Sequence, residues 1–133
     1  MSAPVFSHPV RVYWEDTDAG GVVFYANYLK FFERARTEWL RALGVGQQRL
    51  RDETCAIFIV SDTALRYRAP ARLDDLLQIT VEPTELGRAS MTLRQQAWRS
   101  DALLCEGEIR IGCVDAQSFR PCRIPEDITM LFR

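Results

Sequence analysis

The sequence holds a single histidine, His8, among its 133 residues. One histidine excludes a multi-histidine metal site within the chain. Any Ser-His-Asp or Cys-His mechanism would have to use His8, which reads as a surface residue ahead of the first strand. There is no apolar run of the roughly 20 residues needed to cross a bilayer, and residues 1–9 lack the charged and apolar regions of a signal peptide. These absences predict a cytoplasmic protein without a transmembrane segment and leave peripheral membrane contact open. No Cys-x-x-Cys pair is present: Cys55, Cys105, Cys113 and Cys122 read as reduced, mostly small core residues rather than bridges or ligands. Neither a metal nor a cofactor is expected. A basic excess is missing too. With 17 basic and 18 acidic residues the net charge is −1, which argues against nucleic acid as the main partner. A local basic patch for a small phosphate-bearing ligand is still allowed. No internal repeat, low-complexity segment or Pro/Gly/Ser linker divides the chain, so one domain over residues 1–133 is expected.

What is present is an ordered, core-forming composition: 47% apolar and 26% charged residues. Val10, Val12 and Trp14 alternate on one face of a first strand, and the pattern breaks at the acidic, glycine-paired residues 15–21. Over residues 28–43 the period changes. Tyr28, Phe32, Ala35 and Trp39 form one stripe, with Leu29, Leu40 and Leu43 beside it, and the spacing predicts an amphipathic helix. Asn27 is placed to cap its start and Gly44 to stop it. This is the one helix that the pattern predicts. Residues 57–68 read as a long extended run. Three further runs carry apolar residues of one parity: Leu77, Ile79 and Val81; Met91, Leu93 and Ala97; Leu103, Cys105, Ile109, Ile111 and Cys113. The expected order is a strand, a long helix and four strands in meander. That is an α+β fold, with about five antiparallel strands wrapped on one central helix.

The stretch between the first strand and the helix carries the chemistry. In E-D-T-D-A-G-G-V-V-F-Y-A-N-Y-L two carboxylates, Asp16 and Asp18, sit in a loop. Two glycines give the backbone freedom there, and a helix N-terminus with unsatisfied N–H groups follows. A carboxylate beside an anion-stabilising cradle suits acyl transfer, which needs a group to attack or to deprotonate water and donors for the oxyanion. A thioester reduces the need for a histidine acid, since a thiol of pKa near ~8.5 departs largely unprotonated. Asp16 reads as a loop-shaping hydrogen-bond partner. Glu33, Arg36 and Glu38 lie at helical spacing and read as a solvated or interface face. Gly87, Arg88 and Ser90 form a turn that could grip the phosphates of a ligand or simply connect two strands.

The run from Tyr13 to Leu40, Y-W-E-D-T-D-A-G-G-V-V-F-Y-A-N-Y-L-K-F-F-E-R-A-R-T-E-W-L, resembles the signature of hotdog-fold acyl-CoA thioesterases. It is closest to the branch related to 4-hydroxybenzoyl-CoA thioesterase and to the thioesterase of the bacterial Tol-Pal gene cluster. The run Y-R-A-P-A-R-L-D-D-L-L at 67–77 and the Val114-Asp115 pair are similar to the same branch, and the likeness spans about residues 10–125. The resemblance implies subunits paired edge to edge, as homodimers or homotetramers, with active sites at the interface. It implies acyl-CoA, or acyl carrier protein, as the substrate carrier. It also implies Asp18 as the catalytic carboxylate and the backbone N–H of Tyr25 as an oxyanion donor. Gly87, Arg88 and Ser90 are the candidates for binding the CoA phosphates. Where many relatives read V-V-Y-H, this chain has Tyr25 in place of the histidine, as the 4-hydroxybenzoyl-CoA type also does. That places more of the mechanism on Asp18 and the backbone. Two alternatives stay open. One is a hotdog dehydratase, against which the single His8 speaks. The other is a non-catalytic acyl-binding or scaffold protein of a cell-envelope complex, against which the intact Asp18 loop speaks.

Overall fold

The computed structural model describes residues 5–132. Five strands, β1 (Phe6–Arg11), β2 (Ala56–Tyr67), β3 (Leu76–Leu86), β4 (Ser90–Arg99) and β5 (Ala102–Asp115), form one antiparallel sheet. Helix α1 (Tyr28–Ala42) packs on it, followed by α2 (Gln47–Thr54) and, near the end, a short α3 (Glu126–Thr129). The α+β expectation of one long helix against five strands holds.

The predicted stripe is what α1 buries. Phe31, Phe32 and Ala35 are fully enclosed, with Tyr28, Trp39 and Leu40 nearly so, against Leu77, Ile79, Leu93, Ala97 and Ile109 of the sheet. Leu29, expected beside the stripe, is exposed. The helix stops where Gly44 takes φ +80°. The Gly44 N–H donates to the Arg41 carbonyl and the Val45 N–H to the Leu40 carbonyl, at 3.0 and 2.8 Å. This is the paired closure that a residue in the left-handed region makes easy, and glycine takes that region without strain. Beneath the helix, fully buried Gln95 of β4 donates to the Phe32 carbonyl (3.0 Å) and accepts from Arg36 (2.8 Å). A polar side chain satisfied at both ends holds α1 at one rotation over the sheet.

The strand order is β1-β3-β4-β5-β2, which corrects the expected four-strand meander. Only β3, β4 and β5 meander. The strand β2 crosses to the far edge and pairs with β5, from Ala56↔Asp115 to Tyr67↔Cys105. Side-chain parity tells which face of a strand is buried and says nothing about its neighbour. Two further corrections concern the start of the chain. Trp14 does not continue the face of Val10 and Val12; the chain leaves the sheet into a 3₁₀ turn at Trp14–Asp16, and Trp14 is 81% exposed. His8 lies within β1, half-buried, rather than ahead of it. The helix α2 was not expected: its sequence is almost wholly polar, with only Leu50 packing on the core.

Candidate functional site

Residues 17–23 fold back as a tight hairpin, bridged at Thr17↔Val23 and closed by the Asp18 N–H on the Val22 carbonyl at 2.9 Å. The turn needs its paired glycines. Gly21 has φ +81°, and a Cβ on Gly20 would stand 3.2 Å from Asp18 Oδ1. That oxygen accepts the Gly20 N–H at 2.8 Å, while Oδ2 has no hydrogen-bond partner among the described residues. Asp18 is exposed. Its carboxylate is therefore oriented through one oxygen and open at the other.

Asp16 is placed very differently. It is 3% exposed, its Oδ2 accepts the Tyr13 N–H and its Oδ1 accepts the Asn27 side-chain amide, both at 2.8 Å. Its backbone carbonyl accepts the Phe24 N–H at 2.9 Å. Asn27 does occupy the position before α1, but its side chain does not cap the helix. A 3₁₀ turn, Tyr25–Asn27, precedes α1, and Asn27 uses its amide to bind Asp16 instead. The same network fastens the chain on both sides of this turn.

The turn presents the donors expected of it. The Phe24 carbonyl accepts the Asn27 N–H at 2.8 Å, and the N–H groups of Tyr25 and Ala26 have no acceptor among the described residues. They sit at the end of α1 where helix dipoles are positive. The hairpin and turn are stitched to the segment before β3 by the bridge Val22↔Arg72 and the Val23 N–H on the Ala71 carbonyl, 2.8 Å. Asp75 braces that segment: it accepts from the Arg72 N–H at 2.9 Å and from Arg99 at 2.8 Å. Burial pulls its carboxyl upward, but these two donors outweigh burial and hold it below the usual range.

Gly87, Arg88 and Ser90 lie elsewhere. They form the β3–β4 turn, at the opposite end of β3 from the Asp18 hairpin, along about 33 Å of strand. The Gly87 N–H is used on the Ser90 carbonyl at 2.7 Å, Ser90 Oγ accepts from Arg110, and Arg88 is exposed. Within one chain the structure does not bring this turn to Asp18. An apolar cleft of about 210 Å³ opens between α1 and the β2 side of the sheet, walled by Trp39, Phe58, Ile59, Met91 and Leu93, with Glu33 and Arg36 among its polar lining. The Arg36 guanidinium is thus largely desolvated, which lowers its pKa, rather than lying on a solvated face. The cysteines offer no nucleophile at this site. Burial pushes Cys105 up to about 12 and Cys113 up to about 11, so both remain thiols. Cys55 is exposed and Cys122 half-buried, so only two of the four are core residues.

Residues 12–132 match the thioesterase-like superfamily. The chain belongs to that family. It is 44% identical over 127 residues to the acyl-CoA thioesterase YbgC of Haemophilus influenzae, covering 96% of this chain and 93% of that protein. It is also 44% identical over 134 residues to the acyl-CoA thioester hydrolase YbgC of Escherichia coli O6:H1, covering 100% and 99%. Its fold is similar to the crystal structure of a probable thioesterase from Bartonella henselae, with a TM-score of 0.88 at 30% identity, over 92% of this chain and all of that one. Five antiparallel strands around a long helix are thus the hotdog arrangement of a thioesterase family.

Proposed function

We propose that this protein hydrolyses acyl-CoA thioesters to a free acid and CoA, with Asp18 as the reacting carboxylate and the Tyr25 N–H as an oxyanion donor. The observation that carries the reading is the state of Asp18: exposed, oriented by the Gly20 N–H through one oxygen, with the other oxygen unengaged. Two routes fit. Asp18 takes a proton from water as the water oxygen bonds to the thioester carbon, and the C–S bond then breaks with CoA leaving as thiolate. Alternatively, Asp18 bonds to that carbon itself, the thiolate departs, and water cleaves the resulting mixed anhydride. In both, negative charge develops on the carbonyl oxygen, where a preset N–H acts without having to reorient.

The active unit is a homodimer or homotetramer. β2 pairs only with β5 among the described residues and exposes Ile59 and Val60 along 12 residues of edge, a surface that soluble proteins ordinarily cover. The apolar cleft lies against the C-terminal half of α1, whereas Asp18 lies beyond its N-terminal end. A 15-residue helix is about 22 Å long. A substrate spanning both features fits a site shared by two copies, with Arg88 of the second copy meeting the CoA phosphates. A cytoplasmic setting, one domain over the whole chain and no bound cofactor complete the reading. The experiment is release of free thiol across a panel of short, long and aromatic acyl-CoAs. Turnover of at least one class is expected, whereas acyl-CoA binding without thiol release would favour a non-catalytic acyl-binding role.

A further inference from the structure

The peptide planes on either side of the Tyr25 Cα carry the two N–H groups that have no acceptor. A trans peptide is planar, with its N–H opposed to its C=O. Whatever holds the carbonyl therefore aims the N–H. The first plane is held by main chain: the Phe24 carbonyl accepts the Asn27 N–H at 2.8 Å, which orients the N–H of Tyr25. The second plane is held by a side chain from 42 residues away. Tyr67 Oη donates to the Tyr25 carbonyl at 2.8 Å, which orients the N–H of Ala26.

Tyr67 is well placed to hold something still. It is the last residue of β2, paired with Cys105 of β5, and the following Arg68 and Ala69 N–H groups both donate to the Leu104 carbonyl. Its ring meets Tyr28 edge-on at 5.7 Å between centroids and Tyr25 at 6.5 Å. Tyr28 is itself buried and receives the Ala71 N–H on its hydroxyl. The Tyr67 hydroxyl is thus carried by the sheet and gripped by two rings before it reaches the turn. On the other side Asp16 ties the same turn through the Phe24 N–H and the Asn27 side chain.

We infer that Tyr67 is a positioning residue for thioester hydrolysis: its hydroxyl, anchored on the sheet, fixes the Tyr25–Ala26 peptide so that the N–H groups of Tyr25 and Ala26 converge on the oxyanion. The inference rests on the thioesterase reading and extends it to a residue that does not touch the substrate. A hydrogen bond to the carbonyl also polarises the N–H of the same peptide, so Tyr67 strengthens the Ala26 donor as well as aiming it. Burial raises the Tyr67 hydroxyl above its ordinary value of 10.0, which keeps it a donor at neutral pH.

The test is Tyr67→Phe, which keeps the ring and deletes the donor, measured on the full chain with an acyl-CoA that the native protein turns over. We expect kcat to fall about tenfold with KM within about twofold, because a hydrogen bond lost behind the oxyanion donors is felt in the transition state. Tm should move by less than about 2 °C. A merely structural role would lower Tm and leave kcat of the folded enzyme unchanged. Amide exchange at Phe24 and Asn27, whose N–H groups close the turn, should quicken about fivefold in the variant. It reads the clamp whether or not substrate is hydrolysed. A kcat within twofold of native, or unchanged exchange at those two amides, overturns the inference. A native chain that releases no thiol from any acyl-CoA would instead overturn the thioesterase reading, and exchange would then decide on the clamp alone.

Discussion

Asp16 and Asp18 stand two residues apart in opposite surroundings. Asp16 is buried, with the Tyr13 N–H on one oxygen and the Asn27 amide on the other. Asp18 is exposed, with the Gly20 N–H on one oxygen and the second open. Burying a carboxylate is costly unless it is hydrogen-bonded throughout, and a carboxylate so bonded has no lone pair to offer a substrate. The comparison separates two tasks within one loop. Asp16 builds the turn before α1, and Asp18 is left free to react beside it.

The largest expected effect falls on the free member of the pair. Asp18→Asn keeps size and hydrogen-bonding capacity but removes the charge that both routes need. Steady-state thiol release should show kcat lower by at least about a hundredfold, the scale of carboxylate base catalysis. The buried member should answer in stability. Asp16→Asn sets an NH₂ group against the Tyr13 N–H or the Asn27 amide and leaves a buried donor unpaired, a cost of about 1–3 kcal/mol. Thermal unfolding should show Tm lower by about 5 °C or more. A smaller effect is expected far from the pair. Arg88→Ala should raise KM several-fold while kcat changes by less than about twofold; an unchanged KM removes Arg88 from the phosphate contacts. Sedimentation at micromolar concentration should show a dimer or tetramer, and a lone 15.3 kDa species would leave the Arg88 turn stranded from Asp18.

The smallest effect concerns a third carboxylate, Asp75, charged and paired where Asp18 is unengaged. Its folded pKa lies below the ordinary 3.8 because the Arg72 N–H and the Arg99 guanidinium outweigh burial. A depressed acid stabilises the fold fully above its unfolded pKa, and that contribution is lost as pH falls through the folded value. The Tm gap between the native chain and Asp75→Asn should therefore be constant near neutral pH and close as pH drops below about 3.8. A gap that persisted at about pH 2 would mean the carboxylate charge is not what braces the segment.

Much of the fold is legible from residues that repeat. The stripe Tyr28, Phe32, Ala35, Trp39 marks α1 because burial on a helix follows its 3.6-residue period, and Leu77, Ile79, Val81 mark β3 through the period of two. Gly44 could be read as the helix stop because few other residues take its φ without strain. What could not be read depends on partners distant in sequence. The pairing of β2 with β5 leaves no trace in the alternation of either strand. Trp14 kept the parity of Val10 and Val12 while its backbone had already turned away. In the site, the split between Asp16 and Asp18 was foreseeable from the loop. Asn27 was read as a cap because its residue type suits one, but the buried Asp16 eleven residues earlier claims its amide. Tyr67 gave no signal at all: an aromatic at a strand end is ordinary, and only its 2.8 Å bond to the Tyr25 carbonyl sets it apart.

The most direct test measures both aspartate variants side by side. Thiol release at saturating acyl-CoA and thermal unfolding would be recorded on the native chain, Asp18→Asn and Asp16→Asn, with rates taken well below every Tm. The account predicts a crossed pattern: Asp18→Asn with near-native Tm and kcat down at least about a hundredfold, Asp16→Asn with lowered Tm and kcat within about tenfold of native. Near-native kcat in Asp18→Asn, together with loss of turnover in folded Asp16→Asn, would contradict it and move the chemistry to the buried carboxylate.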